Sequence, residues 1–160
     1  MSELQGALDG AGRRFAVVYS RYNELVTERL LNGARACLVQ HGVAEGAVDV
    51  ISVPGAWELP GAVLLAAHAG RYAGIVALGC VIRGETPHFE YVAGEAARGL
   101  ASVVLETGVP VGFGLLTTED ADQALARAGG AKGNKGWEAA LSALELADLF
   151  SKLGGEHAGA

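Results

Sequence analysis

Short apolar segments alternate with helix-like segments along almost the whole chain, and this alternation constrains the fold more than any other feature. Four segments have the length and apolar character of buried strands: 15–19, 48–53, 75–82 and 111–116. Segments with helical spacing of apolar residues follow them, at about 24–41, 58–69, 89–106, 121–128 and 134–153. Strands that alternate with helices require right-handed crossovers, which produce a parallel sheet covered by helices on both faces.

The sequence therefore predicts one α/β domain, a three-layer α/β/α sandwich with a central four-stranded parallel sheet and a flavodoxin-like shape. With 160 residues, the chain is long enough to bury a substantial core. Residues 1–13 are rich in glycine and polar residues and are expected to form an N-terminal arm, residues 14–154 the domain, and residues 155–160 a C-terminal tail. No repeat or linker interrupts this organisation.

The composition excludes several classes of protein. The chain is 51% hydrophobic and 19% charged and has 24 glycines, which favours close packing within or between subunits and predicts an oligomer. A net charge of −6 argues against nucleic-acid binding. We find neither a membrane-length apolar run nor a signal-peptide pattern, and Cys37 and Cys80 have no CxxC spacing. These features predict a cytoplasmic protein with two buried free thiols.

The strand-to-helix loops of a parallel sheet meet at one edge, where α/β proteins bind their ligands. Here these loops are Ser20–Asn23, Pro54–Glu58, Arg83–His88 and Thr117–Glu119. Together they carry aromatic rings, an amide, carboxylates and one imidazole. This mixture suits a flat polar heterocycle with a hydroxylated tail, because rings stack on the heterocycle while polar groups hydrogen-bond to the tail.

The individual residues leave alternatives open at this point. His88 is either an acid–base group or a surface histidine near a helix N-terminus. The turn Gly84–Thr86 either binds an anion or caps that helix. The Gly/Lys-rich run 129–136 resembles a phosphate loop but fails the Walker pattern, so that it is either an anion site with Arg127 or only a turn.

Purely structural explanations also exist for four residues near the predicted edge of the sheet. Tyr22 and Trp57 have the character of core or interface aromatic residues. Glu58 could cap the helix that it begins, because a carboxylate there favours the helix dipole. Phe113 lies within the fourth predicted strand, where core packing accounts for a phenyl ring. The GxGxxG, GxSxG and metal-ligand patterns are all missing, which disfavours dinucleotide redox chemistry, serine hydrolysis and zinc chemistry.

Four segments together resemble the 6,7-dimethyl-8-ribityllumazine synthase family. They are Val53–Pro60, Gly79–Val92, Phe113–Glu119 and Arg127–Gly136, and the similarity extends from about residue 15 to residue 150. The resemblance implies the penultimate step of riboflavin biosynthesis, in which a ribitylaminouracil condenses with 3,4-dihydroxy-2-butanone 4-phosphate. It implies no cofactor and no metal ion.

The resemblance also assigns roles to individual residues. His88 is implied as the proton-transfer residue. The ribitylaminouracil is expected to contact Tyr22, Asn23, Ala56, Trp57, Glu58, Cys80, Val81, Ile82, Phe113 and Lys135. The phosphate is expected to contact Glu85, Thr86 and Arg127. In this family, the residues at positions 113, 127 and 135 reach the site from a neighbouring subunit.

The resemblance implies a homopentamer or a multiple of it, including decamers and icosahedral capsids, with riboflavin synthase as a candidate partner. Two departures stand out: Ala131 and Lys132 replace a usual lysine followed by a small residue, and Trp57 replaces a usual phenylalanine. Two alternative functions remain. They are a flavin carrier and a non-catalytic lumazine-binding or cage-forming homologue, against which the presence of His88, Arg127 and Glu58 argues.

Overall fold

The computed structural model describes residues 1–154 and confirms the predicted alternation of strands and helices. The main strands are β1 (Phe15–Ser20), β2 (Val48–Val53), β3 (Gly74–Ile82) and β4 (Val111–Thr118). The helices are α1 (Glu24–Gln40), α2 (Leu59–His68), α3 (His88–Thr107), α4 (Ala121–Ala126) and α5 (Lys135–Gly154). Short 3-10 turns at Glu45–Ala47 and Ala56–Glu58 precede β2 and α2. The predicted tail 155–160 lies outside the described residues.

The four main strands form one parallel sheet in the order β2-β1-β3-β4. Alternate residues of each strand face opposite sides: in β1, Phe15 and Val17 join a core under α1, α4 and α5, whereas Ala16 and Val18 join a core under α2 and α3. The predicted three-layer, flavodoxin-like sandwich is therefore confirmed.

Two glycines allow α5 to approach its neighbours unusually closely. A Cβ atom on Gly136 would overlap the backbone carbonyl of Leu30 in α1, and a Cβ atom on Gly112 in β4 would overlap the carbonyl of Ala139 in α5. Close packing at these positions requires the absence of a side chain. Part of the high glycine content thus serves contacts within the subunit.

The predicted helix over 121–128 and the turn that follows it are partly wrong. Helix α4 ends at Ala126, and a small antiparallel hairpin follows, formed by β5 (Ala128–Gly130) and β6 (Gly133–Asn134). Gly129 and Gly133 have φ angles of 103° and 83°, which only glycine adopts readily, and they allow the chain to reverse. The Asn134 Oδ1 atom then accepts N–H bonds from Gly136 and Trp137 and caps α5.

Residues 1–13 contain no helix or strand, but they are attached to α5 through Asp148. Its carboxylate accepts a 2.7 Å hydrogen bond from the Ala7 N–H and forms ion pairs with Arg13 at 3.1 Å and Lys152 at 2.9 Å. These contacts, the Ala7 hydrogen bond foremost, lower the pKa of Asp148 to about 2. The arm thus depends on an ionised carboxylate.

We predict that acid releases the arm. A carboxylate whose pKa is lower in the folded state stabilises that state above its unfolded pKa of about 4, and this stabilisation is lost as the pH falls towards 2. Hydrogen exchange of residues 5–13, corrected for its intrinsic pH dependence, should therefore accelerate over this range. Asp148→Asn should show fast exchange already at neutral pH, whereas the exposed Asp122→Asn should behave as the unaltered chain. Equal protection of the arm in both variants would contradict this role.

Candidate active site

A cavity of about 690 Å³ opens at the edge of the sheet where the strands end. It lies beside β1 and β3, the adjacent strands at which the order of the sheet changes direction, and this is where α/β sheets bind ligands. Its lining comes from the loops after β1 and β2, from the end of β3 and the loop that follows it, and from the first two turns of α3. The lining residues are Tyr22, Gly55, Ala56, Trp57, Glu58, Cys80, Val81, Ile82, Gly84, Thr86, His88, Phe89 and Val92.

Two of the aromatic residues at this cavity, Tyr22 and Trp57, are not core residues. Tyr22 is 73% exposed and Trp57 is 59% exposed, so both rings are available to a ligand. The end of β3 is different, because Cys80 and Val81 are buried. Burial raises the pKa of the Cys80 thiol to about 11, which keeps the sulfur protonated at neutral pH and excludes it as a thiolate nucleophile. Two exposed rings and a neutral strand end suit a flat uncharged ring system.

Asn23 holds the loop after β1 against the end of β3. Its Nδ2 atom donates a 2.9 Å hydrogen bond to the Cys80 carbonyl, and its backbone has the left-handed φ angle of 62°. The Tyr22 N–H donates to the Pro54 carbonyl at 3.0 Å, which connects the same loop to the one after β2. These two bonds fix the relative positions of two loops and the end of β3 around the cavity.

His88 is the first residue of α3 and is exposed at the cavity. Pro87 occupies the N-cap position, and no side chain caps the helix. The structure therefore gives no support to the alternative that Gly84–Thr86 serves as a cap. Thr86 lines the cavity with His88, while Glu85 is exposed outside the lining. Likewise, Glu58 makes no capping hydrogen bond at the start of α2.

The lining of this cavity contains Glu58 and His88 but neither lysine nor arginine. Arg83, which stands between the lining residues Ile82 and Gly84 in the sequence, already has partners. It forms ion pairs with Glu90 at 2.6 Å and Glu119 at 2.8 Å, and its guanidinium lies 4.5 Å from the centre of the Phe89 ring. An anionic ligand in this cavity would therefore lack an available cation from the lining.

Arginine and lysine side chains instead line a second cavity of about 350 Å³, which lies beside β4 and the hairpin. Arg127, Lys132 and Lys135 line it with a single carboxylate, Glu138, and with the ends of β4 at Leu115–Thr118. The Arg127 guanidinium donates to the Gln123 carbonyl at 2.9 Å, which holds it in place. This cavity is strongly basic, although the chain as a whole is acidic.

The structure thus brings together most, but not all, of the predicted site residues. The first cavity contains Tyr22, Ala56, Trp57, Glu58, Cys80, Val81, Ile82, Thr86 and His88, and Asn23 supports it. Arg127 and Lys135 line the second cavity. Phe113 lines neither cavity. Because β4 is an edge strand, the Phe113 ring is 44% exposed, and the expectation that it packs in the core is wrong.

Sequence reasoning missed Phe89 and Val92, which line the first cavity from α3. Helical spacing could have revealed Val92, which is four positions after His88 and three after Phe89, because residues three and four positions apart share a helix face; no such signal marks Phe89 itself. It also missed Lys132 as a third cation of the basic cavity. Within the described residues, no cluster of His, Cys, Asp or Glu could hold a metal ion, and no helix is long and apolar enough to cross a membrane.

Comparisons with known proteins identify the family. The family model described as 6,7-dimethyl-8-ribityllumazine synthase matches residues 12–151, which include both cavities. The chain belongs to this family. A protein of that name from Gemmatimonas aurantiaca is 56% identical over 152 residues, which are 95% of this chain and 93% of the relative. Another, from Chlorobaculum tepidum, is 46% identical over 153 residues, 96% of this chain and 99% of the relative.

The resemblance to the lumazine synthase family that the four sequence segments carry is thereby confirmed. All four segments fall inside the matched residues. All four supply lining residues: Val53–Pro60 and Gly79–Val92 to the first cavity, and Phe113–Glu119 and Arg127–Gly136 to the second. The four segments that resemble the family therefore lie at the carboxyl edge of the sheet.

Asn23 provides a stability test of the site's framework. We predict that Asn23→Ala is less stable to urea than Asn23→Gly by about 1 kcal/mol, because alanine is strained at a φ angle of 62° and glycine is not. Both variants lose the bond to the Cys80 carbonyl, so the comparison isolates the backbone contribution. Equal unfolding midpoints would show that the left-handed conformation is not retained.

Proposed function

We propose that this chain condenses 5-amino-6-(D-ribitylamino)uracil with 3,4-dihydroxy-2-butanone 4-phosphate. The products are 6,7-dimethyl-8-ribityllumazine, phosphate and water, and the reaction is the penultimate step of riboflavin biosynthesis. The observation that carries the proposal is family membership over residues 12–151, which contain the entire cavity at the end of the sheet. The enzyme is accordingly a transferase that needs no cofactor.

The cavity at the sheet edge fits the ribitylaminouracil. We propose that the exposed rings of Tyr22 and Trp57 stack on the pyrimidine and that the backbone at Cys80–Ile82 hydrogen-bonds to its edge. Glu58 and Asn23 are proposed to contact the ribityl hydroxyls. Since the Asn23 amide nitrogen already donates to Cys80, its Oδ1 atom is the group available to accept from a hydroxyl.

The reaction combines additions of nitrogen to carbonyl groups with proton transfers and eliminations. The primary amine of the uracil attacks the ketone, water leaves as the imine forms, phosphate leaves by elimination, and ring closure releases a second water. His88 lies at the cavity and is the group proposed to move protons between these atoms, a role that contributes typically ~10²–10⁴-fold in rate. Holding both substrates face to face contributes more, of order 7–11 kcal/mol.

We further propose that a second copy of the chain completes the site. The phosphate needs cations, yet the lining of the first cavity offers Thr86 and His88, with the backbone N–H of Glu85 nearby, and no lysine or arginine. Arg127 and Lys135 line a separate cavity, and Phe113 is exposed on the edge strand. Their provision by a neighbouring subunit would supply the missing charge and an additional ring.

The proposed assembly is a homopentamer or a multiple of it, with active sites between subunits. Sizing in solution distinguishes a pentamer from a decamer or an icosahedral capsid, and co-purification tests an association with riboflavin synthase. The two free cysteines, Cys37 and Cys80, are buried and suit a reducing compartment. We accordingly retain the cytoplasm as the proposed location.

The first prediction of this proposal is lumazine formation from the two substrates, followed by the absorbance of the product. His88→Ala should lower kcat within the range given above while leaving measurable turnover, because substrate orientation is retained. Binding of the ribitylaminouracil without any turnover by the unaltered chain would instead favour a lumazine-binding or cage-forming homologue. A yellow protein that consumes no butanone phosphate would favour a flavin carrier.

A second prediction concerns the shared site. Arg127→Ala should raise the KM for the butanone phosphate, whereas Arg35→Ala, which removes an exposed arginine beside β2, should leave it unchanged. Denaturing His88→Ala and Arg127→Ala chains together and reassembling them should restore part of the lost activity. Mixed interfaces then combine an intact His88 with an intact Arg127.

Each variant reassembled alone is the control for this mixing experiment. If both residues act within one chain, every site in the mixture carries one defect and the activity equals the average of the two variants. That outcome would contradict a site shared between subunits, while leaving the proposed reaction itself intact.

A further inference from the structure

Arg83 connects three elements at the site, and the mechanism described above does not use it. It follows the last residue of β3, and its backbone N–H donates to the Thr118 carbonyl at the end of β4 at 2.8 Å. Its side chain pairs with Glu90 in the first turn of α3 and with Glu119 in the loop after β4. The guanidinium also lies over the ring of Phe89, which lines the cavity beside His88.

The turn that Arg83 precedes has few other attachments. Among the described residues, Gly84, Glu85 and Thr86 take part in no hydrogen bond with the rest of the chain. A Cβ atom on Gly84 would meet no atom within 4 Å, which shows that the turn is not packed against its surroundings. Yet this turn carries Thr86 and leads directly to His88. Something outside it must fix its two ends.

We propose that Arg83 is a positioning residue for His88, acting by clamping the start of α3 to the ends of β3 and β4. This inference rests on the proposed function. Its two ion pairs hold the first turn of α3 against the loop after β4, and its contact with Phe89 orients the ring next to the imidazole. The clamp leaves His88 at a fixed distance from ligands bound at the strand ends.

The chemistry of arginine is suited to this role. The planar guanidinium offers separate N–H groups to two carboxylates, here Nη1 to Glu90 and Nε to Glu119, while its face stacks on an aromatic ring. A lysine ammonium has no plane and cannot stack in the same way. Exposed ion pairs contribute little to overall stability. The clamp is therefore expected to affect the geometry of the site more than the stability of the fold.

The same contacts argue against Arg83 as a phosphate ligand. Two carboxylates neutralise the charge of Arg83. The hydrogen bond with Glu90 and the attraction of both carboxylates also raise the pKa of its guanidinium above the ordinary value. A phosphate at this position would meet the negative charge of Glu90 and Glu119. Positioning and phosphate binding are thus distinguishable by which kinetic constant changes.

The test is the steady-state kinetics of Arg83→Ala in the full-length assembled protein with both substrates. Loss of the clamp should lower kcat about tenfold or more, since small displacements of a reacting group are costly. The KM for the ribitylaminouracil should stay within twofold, because that substrate is proposed to bind at the strand ends. Arg83→Lys should recover part of kcat by restoring one ion pair without the stacking.

Arg71→Ala is the matched control. Arg71 also pairs with a carboxylate, Asp49 at 2.7 Å, and lies 5.3 Å from the centre of the Tyr72 ring, but at the opposite edge of the sheet. Its removal should shift the unfolding midpoint as much as that of Arg83 and leave both kinetic constants unchanged. A loss of kcat in Arg83→Ala alone, at equal stability, would support positioning.

Three results would overturn the inference. An unchanged kcat in Arg83→Ala, in a protein whose unaltered form makes lumazine, would refute positioning while the proposed function stands. An increase only in the KM for the butanone phosphate would make Arg83 a phosphate ligand. Absence of lumazine formation by the unaltered chain would refute the proposed function and this inference with it.

Discussion

The parallel direction of all four strands of the main sheet is the constraint on which the rest of the structure depends. It requires every connection to cross back over one face, and this places helices on both sides and buries the central strands β1 and β3 almost completely, whereas the edge strands β2 and β4 stay partly exposed. It also brings all strand-to-helix loops to the same edge. Tyr22, Trp57 and His88 are far apart in the sequence, but each follows a strand that ends at this edge. They therefore line one cavity together.

The sequence was sufficient to predict the order of elements and the location of this cavity. Continuous apolar strands and helical stripes have clear periods, and the parallel topology then dictates where loops meet. The hairpin Ala128–Asn134 could not be predicted in this way, because strands of three and two residues show no period. The exposure of Phe113 was equally hidden, since a residue inside a strand pattern does not reveal whether its strand lies at an edge.

The separation of Arg127 from His88 is the most informative feature that the periodic spacing of apolar residues could not predict. Sequence motifs place both residues in one functional group, but each lines a different cavity of the subunit. No local pattern encodes this separation, because it depends on how β3, β4 and the hairpin are arranged in the folded chain. Two residues that the sequence motifs assign to one site therefore need not line the same cavity of one chain.

The two tryptophans occupy contrasting positions, which makes the chain its own optical reporter. Trp57 is at the mouth of the cavity and 59% exposed, whereas Trp137 follows the Asn134 cap and lies with its ring centre 6.0 Å from that of His41. The indole at the cavity senses its immediate environment, and the indole of α5 senses the contact between helices. The fluorescence of Trp57 thus reports whether a ligand occupies the edge of the sheet, and the fluorescence of Trp137 reports whether the helical layer is intact. Neither readout requires a label.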